Sequence, residues 1–223
     1  MSFGKRSLVA EIAIVTIAVL VVCHILYHLR FIPFINAYLS VIVAFVLLYA
    51  PIIVLWFRRR RVVFFETDLK HIGRSLMVTL VVSLIIFPAF LICAHFWQVW
   101  IMGYSKFRLA SFPGVGRVIF YQLLLVALPE EFYFRGYVQP AFNAVFKPRW
   151  RIFGVHLGWS WVVTAVVFAV AHTIITYQWW HFAIFFPGLV FGWLKERTGA
   201  ITSPILFHAV SNILMNWFAR SYV

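Results

Sequence analysis

The sequence predicts an all-α polytopic membrane protein with about seven transmembrane helices in a single domain, residues 1–223. Composition is the first reason: 64% of the residues are hydrophobic and only 11% are charged, whereas soluble domains are about 45–50% apolar. Distribution is the second reason. A helix needs about 20 apolar residues to cross a bilayer, and runs of about that length follow one another along the chain. Lipid must therefore solvate much of the surface.

The predicted helices lie at 7–28, 35–57, 75–101, 117–138, 158–177, 181–195 and 200–219. The first run follows Lys5 and Arg6, as in a signal peptide, but it is about 20 residues long and no small-residue cleavage site follows. We therefore expect it to be retained as the first membrane helix. Pro129 interrupts the fourth run, and the short sixth run contains Pro187. Residues 1–105 hold no motif that suggests a function.

The net charge of +13 comes from basic clusters in the connections between apolar runs. This distribution indicates membrane topology and contact with anionic headgroups rather than nucleic-acid binding. A cytoplasmic N-terminus puts thirteen Lys and Arg residues in inner connections and five in outer ones, as the positive-inside rule favours. Both cysteines, Cys23 and Cys93, lie in apolar runs, so no disulfide framework is expected.

Two of the six acidic residues, Glu130 and Glu131, are adjacent inside the fourth apolar run. Ionisable groups at membrane depth cost several kcal/mol and mark functional sites. Arg135 lies four residues after Glu131, so the two share a helix face, whereas Glu130 is about 140° away from Arg135 around the axis. We predict that Glu131 pairs with Arg135 and that unpaired Glu130 acts as a general base. A purely structural ion pair is the alternative for Glu131.

Polar side chains also lie inside the fifth and seventh predicted helices. His172 is in the fifth helix, and His208 and Asn212 share a face of the seventh because they are four residues apart. A single membrane histidine is often only an interhelical hydrogen-bond donor. Such residues on three helices instead indicate one site. His95, in the third helix, is an additional candidate.

This set contains the groups that peptide-bond hydrolysis requires. Glu130 can deprotonate water, a histidine can orient the water or protonate the leaving amine, and His208 with Asn212 can donate hydrogen bonds to an oxyanion. Neither cysteine is suited to act as a nucleophile, and Ser211 has no evident base. Glutamate with two histidines is also a zinc ligand set, although the HExxH motif is absent. A metal held by Glu130, His172 and His208 therefore stays an alternative.

The chain resembles the CPBP intramembrane proteases, which include the type II CAAX prenyl endopeptidases and the bacteriocin-processing or immunity-linked Abi proteins. The family's EExxxR signature is present as Glu130–Arg135, FxxxH as Phe168–His172 and HxxxN as His208–Asn212. The resemblance covers residues 117–216. It implies a glutamate-dependent endopeptidase without a catalytic metal, zinc being the alternative.

By this resemblance, Glu130 activates water together with His172, and His208 and Asn212 hold the oxyanion. Glu131 and Arg135 support this arrangement. The implied substrate is a membrane-anchored protein or peptide. The short loops, the compact chain and the abundant arginine favour a bacterial inner membrane.

Two other classes stay open. One is a proton-coupled transporter or channel, for which an inverted repeat is expected and none is visible. The other is a non-catalytic binding or immunity protein. For an enzyme, helix lengths predict a site that opens toward the cytoplasmic side, near Gly136 and Thr202. They also place His172 about 9 Å deeper than the other site residues.

Overall fold

The computed structural model describes residues 5–62, 64–112 and 114–223. This part of the chain contains seven helical segments, which confirms the predicted all-α membrane fold. They are α1 (Lys5–His28), α2 (Pro33–Phe57), α3 (Leu69–Ile101), α4 (115–145), α5 (Trp159–Thr176), α6 (Phe185–Thr198) and α7 (Thr202–Arg220). Four of the helices in this part, α1, α2, α3 and α5, are long and apolar enough to cross a membrane.

The connections gather at two ends of the bundle. At the Glu66 end, formed by 58–62, 64–68, 146–158 and 199–201, the Glu66 carboxylate accepts hydrogen bonds from Ser75 and Thr202. The Arg117 end is formed by 29–32, 102–112, 114, 177–184 and the last residues, 221–223. There, segment 106–108 pairs with 221–223 through backbone hydrogen bonds of 2.7 to 3.2 Å.

A β-hairpin between α4 and α5 was not predicted. It joins β1 (Trp150–Ile152) to β2 (Val155–Leu157) in antiparallel register. Its two-residue turn, Phe153–Gly154, has φ values of 46° and 79°. Positive φ at both positions is what a type I′ turn requires. Strands of three residues are too short to give an alternating apolar pattern, which is why the sequence did not reveal them.

Two π-helical turns lie at the EExxxR motif of α4; the first precedes the motif and the second begins within it. They span Tyr121–Ala127 and Phe132–Val138, and each is followed by an α-helical turn whose second residue is a proline, Pro129 or Pro140. Proline has no N–H to donate to the carbonyl four residues earlier, and wider π turns accommodate such gaps. The predicted interruption at Pro129 is thus a local widening of a helix that continues to residue 145.

The N-terminal helices pack directly on α4. Tyr133 donates a hydrogen bond to Thr16 of α1, with 3.1 Å between the oxygens. The ring of Phe64 stacks on Phe132, with centroids 4.1 Å apart. A Cβ atom on Gly136 would lie only 2.6 Å from the Phe64 ring. Only glycine therefore fits at position 136 without displacing Phe64. This contact gives a structural reason for the glycine that directly follows Arg135.

Candidate active site

Glu131, Arg135 and His208 form a buried ion-pair network in the middle of the bundle. Glu131 Oε1 accepts hydrogen bonds from Arg135 Nη1 at 3.1 Å and from His208 Nδ1 at 2.8 Å. The side chains of Glu131 and Arg135 are both fully buried. The structure thus contains the predicted ion pair, and it adds His208 as a partner that the sequence did not indicate. The hydrogen bond between His208 and Glu131 links α7 to α4.

Arg135 is held on its other sides by backbone and by aromatic rings. Its Nη2 donates to the Gly188 carbonyl at 3.0 Å, and its guanidinium carbon lies 4.3 Å from the Phe168 ring centroid and 5.1 Å from that of Phe191. Cation–π contacts of this length stabilise a desolvated arginine. The guanidinium therefore joins α4, α5 and α6 around one buried charge.

Glu130 points toward two imidazole rings instead of toward Arg135. Its Oε2 lies 3.5 Å from His172 Nε2 and 3.8 Å from His208 Nε2. Within the described residues, this oxygen has no hydrogen-bond partner. The side chain is 17% exposed, whereas that of Glu131 is completely buried. Part of the Glu130 side chain is therefore exposed, although its Oε2 is buried.

The Nδ1 contacts of both histidines determine which ring nitrogen faces Glu130. His172 Nδ1 lies 2.9 Å from the Phe168 carbonyl, which can only accept, so Nδ1 carries the hydrogen. His208 Nδ1 donates to Glu131 in the same way. Nε2 of each ring is therefore directed at Glu130 Oε2. Each Nε2 can accept a proton from Glu130 or from a water beside it, or donate a proton to them.

The two separations at Glu130 allow one water molecule to lie beside the carboxylate and an imidazole ring, not on the line between them. Both are shorter than two hydrogen bonds of about 2.8 Å laid end to end, so a single water oxygen can contact the carboxylate and an imidazole nitrogen at once. This arrangement can orient water and accept its proton.

Asn212 lies one turn beyond His208 on α7. Its Nδ2 donates to Gln122 Oε1 of α4 at 3.1 Å. Gln122 was not among the predicted site residues, and its only signal in the sequence is that it is polar inside an apolar run. An amide nitrogen has two hydrogens, so Asn212 keeps one after binding Gln122.

Two other candidates lie apart from this centre. His95 Nδ1 is 2.6 Å from the Tyr222 hydroxyl at the Arg117 end, and it is not among the groups that contact Glu130. Ser211 donates to the Phe207 carbonyl at 2.7 Å, so its hydroxyl hydrogen is engaged in its own helix. The depth difference predicted for His172 does not separate it from Glu130, because the actual offset of α5 along the bundle brings the two together.

The donor types of Glu130, His172 and His208 are those of zinc sites. Among the described residues, however, no group of three or more His, Cys, Asp or Glu side chains is arranged to hold a metal ion. The zinc alternative stays untested, and we derive no step through a metal.

A cavity of about 250 Å³ lies between this centre and the Arg117 end. The lining residues are Phe112, Arg117, Val118, Tyr121, Gln122, Asn216 and Arg220.

The expected opening was at the other end, near Gly136 and Thr202, but there Phe64 packs on Gly136 and Thr202 is hydrogen-bonded to Glu66. At the Arg117 end, α5 ends only four residues after His172, whereas α7 continues to Arg220.

Comparison with protein families gives a match over residues 112–214 to the model described as "Type II CAAX prenyl endopeptidase Rce1-like". Comparisons with curated proteins and with solved structures gave no match. The matched segment contains every predicted site residue: Glu130, Glu131, Arg135, His172, His208 and Asn212. The segment 112–214, which contains the candidate active site, is similar to the type II CAAX prenyl endopeptidases of this family model, and the match supports the CPBP/CAAX intramembrane protease family that the motifs predicted.

Proposed function

We propose that this protein hydrolyses a peptide bond in a membrane-anchored protein or peptide by means of water activated by Glu130. One observation carries the proposal: Glu130 Oε2 has no hydrogen bond from the described residues, and it faces Nε2 of both His172 and His208 at 3.5 and 3.8 Å. A carboxylate with free lone pairs beside two imidazoles is a base and proton store for one water molecule.

The proposed reaction begins with a water molecule that contacts both Glu130 and His172. Glu130 takes one proton from this water as the water oxygen attacks the carbonyl carbon of the substrate. The carbonyl π electrons move to oxygen, and the oxyanion accepts hydrogen bonds from Asn212 Nδ2 and from protonated His208 Nε2. Collapse of this intermediate breaks the C–N bond, and the proton held by Glu130 passes to the leaving amine, directly or through His172 Nε2.

Glu131 has a positioning role in this scheme. Because it accepts the Nδ1 hydrogen of His208, it sets the tautomer of the neutral ring and stabilises the protonated ring when His208 donates to the oxyanion. Arg135 offsets the charge of Glu131 while both are buried. No metal takes part in the proposed mechanism.

The function is tested with protein purified in detergent and a library of membrane-anchored peptides, with products identified by mass spectrometry. We expect cleavage at a defined bond, and we expect it to persist after treatment with a zinc chelator. Absence of any cleaved peptide would favour the transporter or binding alternatives. Loss of cleavage on chelation that zinc restores would overturn the metal-free mechanism.

Replacing Asn212 with alanine removes one proposed oxyanion donor. Loss of one such donor lowers kcat by about 10²–10³, and we expect a drop of that size in Asn212→Ala with little change in KM. Steady-state kinetics on a cleaved peptide measure both constants, and the exposed Asn36→Ala on α2 is the control. A raised KM at unchanged kcat would instead make Asn212 a substrate-binding residue.

We propose that the protein lies in a bacterial inner membrane with its N-terminus in the cytoplasm. The orientation follows from the excess of basic residues in the connections at the Glu66 end. In a Cys23→Ala, Cys93→Ala background, Leu109→Cys at the Arg117 end should react with a membrane-impermeant thiol reagent in intact cells. Phe153→Cys at the hairpin turn should react only after the inner face is exposed. Both native positions are highly exposed, at 69% and 87%. The reverse pattern of labelling would invert the orientation.

A further inference from the structure

Gln122 of α4 is the one partner that holds the side chain of Asn212 within the described residues. Asn212 Nδ2 donates to Gln122 Oε1 at 3.1 Å, and the Asn212 side-chain amide makes no other hydrogen bond in this part of the chain. The torsion that turns an asparagine amide is broad and roughly two-fold. Without Gln122, the amide is therefore free to turn its nitrogen away from the position that the proposed mechanism requires.

The other proposed oxyanion donor of α7 is held from α4 as well. His208 Nδ1 donates to Glu131 Oε1 at 2.8 Å, so each of the two donors has one fixing contact on that helix. His208 and Asn212 are four residues apart and share a face of α7. Glu131 and Gln122 must therefore reach this face of α7 from the same side of α4.

A regular α-helix would not place Glu131 and Gln122 on one side. They are nine residues apart, which is about two and a half turns of an α-helix, so their side chains would point in opposite directions. The π-helical turn Tyr121–Ala127 contains Gln122 and ends before Glu131. A π turn closes its hydrogen bond over five residues instead of four, so it rotates less per residue. This smaller rotation turns Gln122 toward α7.

The contact with Gln122 leaves Asn212 ready to bind an oxyanion. Asn212 Nδ2 has two hydrogens, and one remains after the bond to Gln122 is made. Gln122 is half-buried and uncharged, so it places no negative charge beside the oxyanion. A donor that is fixed before the reaction costs no reorganisation when the oxyanion forms.

We infer that Gln122 is a positioning residue for peptide-bond hydrolysis, acting through Asn212 without touching the reacting atoms. The π-helical turn Tyr121–Ala127 is the local feature that directs Gln122 at α7. The inference rests on the proposed function, because it requires Asn212 to be an oxyanion donor. It assigns to Gln122 an effect on the rate of the chemical step and none on the binding of substrate.

A double-mutant cycle of Gln122→Leu and Asn212→Ala tests this role, with steady-state kinetics on a peptide that the wild-type protein cleaves. Leucine has a similar volume but accepts no hydrogen bond. Loss of one neutral hydrogen bond corresponds to a change of about 3- to 10-fold, and we expect kcat of Gln122→Leu to fall by that factor at unchanged KM. In the Asn212→Ala background, the same change should have no further effect, because the group that Gln122 positions is already absent.

Gln122→Met, which keeps the length of the side chain, is the second variant and should show the same loss of kcat. All rates are compared at a temperature at which each variant is folded. Gln178→Leu is the matched control, because Gln178 accepts a hydrogen bond through its backbone carbonyl and not through its side chain. This control should cleave at the wild-type rate.

An unchanged kcat in both Gln122 variants, or a raised KM at unchanged kcat, would overturn the positioning role. A loss by the same factor in the wild-type and Asn212→Ala backgrounds would show that Gln122 acts independently of Asn212, and it would overturn the inference as well. Failure of the proposed function would appear separately, as absence of cleavage by the wild-type protein.

Discussion

Replacing Glu130 with glutamine is expected to abolish peptide cleavage and to leave the protein folded. The amide has nearly the same shape as the carboxylate, but it cannot accept the proton of water. General-base catalysis contributes about 10²–10⁴-fold, so we expect kcat to fall at least that far. The fold should survive because the ion-pair network of the core uses Glu131, and Glu130 Oε2 makes no hydrogen bond with the described residues.

The assay compares purified wild-type and Glu130→Gln proteins on the same anchored peptide, with unfolding temperature as the check on folding. Asp68→Asn is the control, since it removes one exposed carboxylate at the start of α3 and should cleave at the wild-type rate. Full proteolysis by a well-folded Glu130→Gln variant would exclude Glu130 as the base.

Glu131→Gln is expected to have its largest effect on stability. The change leaves Arg135 fully buried without its counter-charge and weakens the acceptor for His208. Breaking a buried pair by removing one partner costs about 3–5 kcal/mol. We expect a markedly lower unfolding temperature and lower yield than in Glu130→Gln, together with reduced cleavage from a misplaced His208.

A double-mutant cycle separates charge from shape. If the uncompensated guanidinium is the cause, adding Arg135→Gln to Glu131→Gln should recover part of the lost stability, because no buried charge then remains unpaired. Additive destabilisation by the two changes would show that the ion pair contributes through packing alone. The two adjacent glutamates therefore have distinguishable consequences: one for catalysis, the other for folding and for the orientation of His208.

The spacing of residues along the sequence predicted the helices and the contacts that form within a single helix. Apolar runs located the seven helices, and the four-residue spacing of Glu131 and Arg135 predicted a pair that the structure contains. The FxxxH motif also has a local meaning, since Phe168 supplies both the carbonyl that binds His172 Nδ1 and a ring beneath Arg135. A helical position four residues earlier is the one whose carbonyl a histidine can reach.

Contacts between helices could not be predicted in the same way. The hydrogen bond from His208 to Glu131 and that from Asn212 to Gln122 join residues 77 and 90 positions apart, and no periodicity encodes such pairs. How far α5 extends past His172 could not be predicted either. Helix ends read from hydropathy are uncertain by a few residues, which is comparable to the four residues that separate His172 from the end of α5.

The central claim is that water activated at Glu130 is the nucleophile, and isotope incorporation tests it most directly. A membrane-anchored peptide is cleaved by the wild-type protein in H₂¹⁸O under single-turnover conditions, and both products are analysed by mass spectrometry. We predict one ¹⁸O atom in the new C-terminal carboxylate, no covalent acyl-enzyme at any time point, and no product from Glu130→Gln. A trapped acyl-enzyme, or ¹⁸O-labelled product formed at the wild-type rate by Glu130→Gln, would contradict the mechanism.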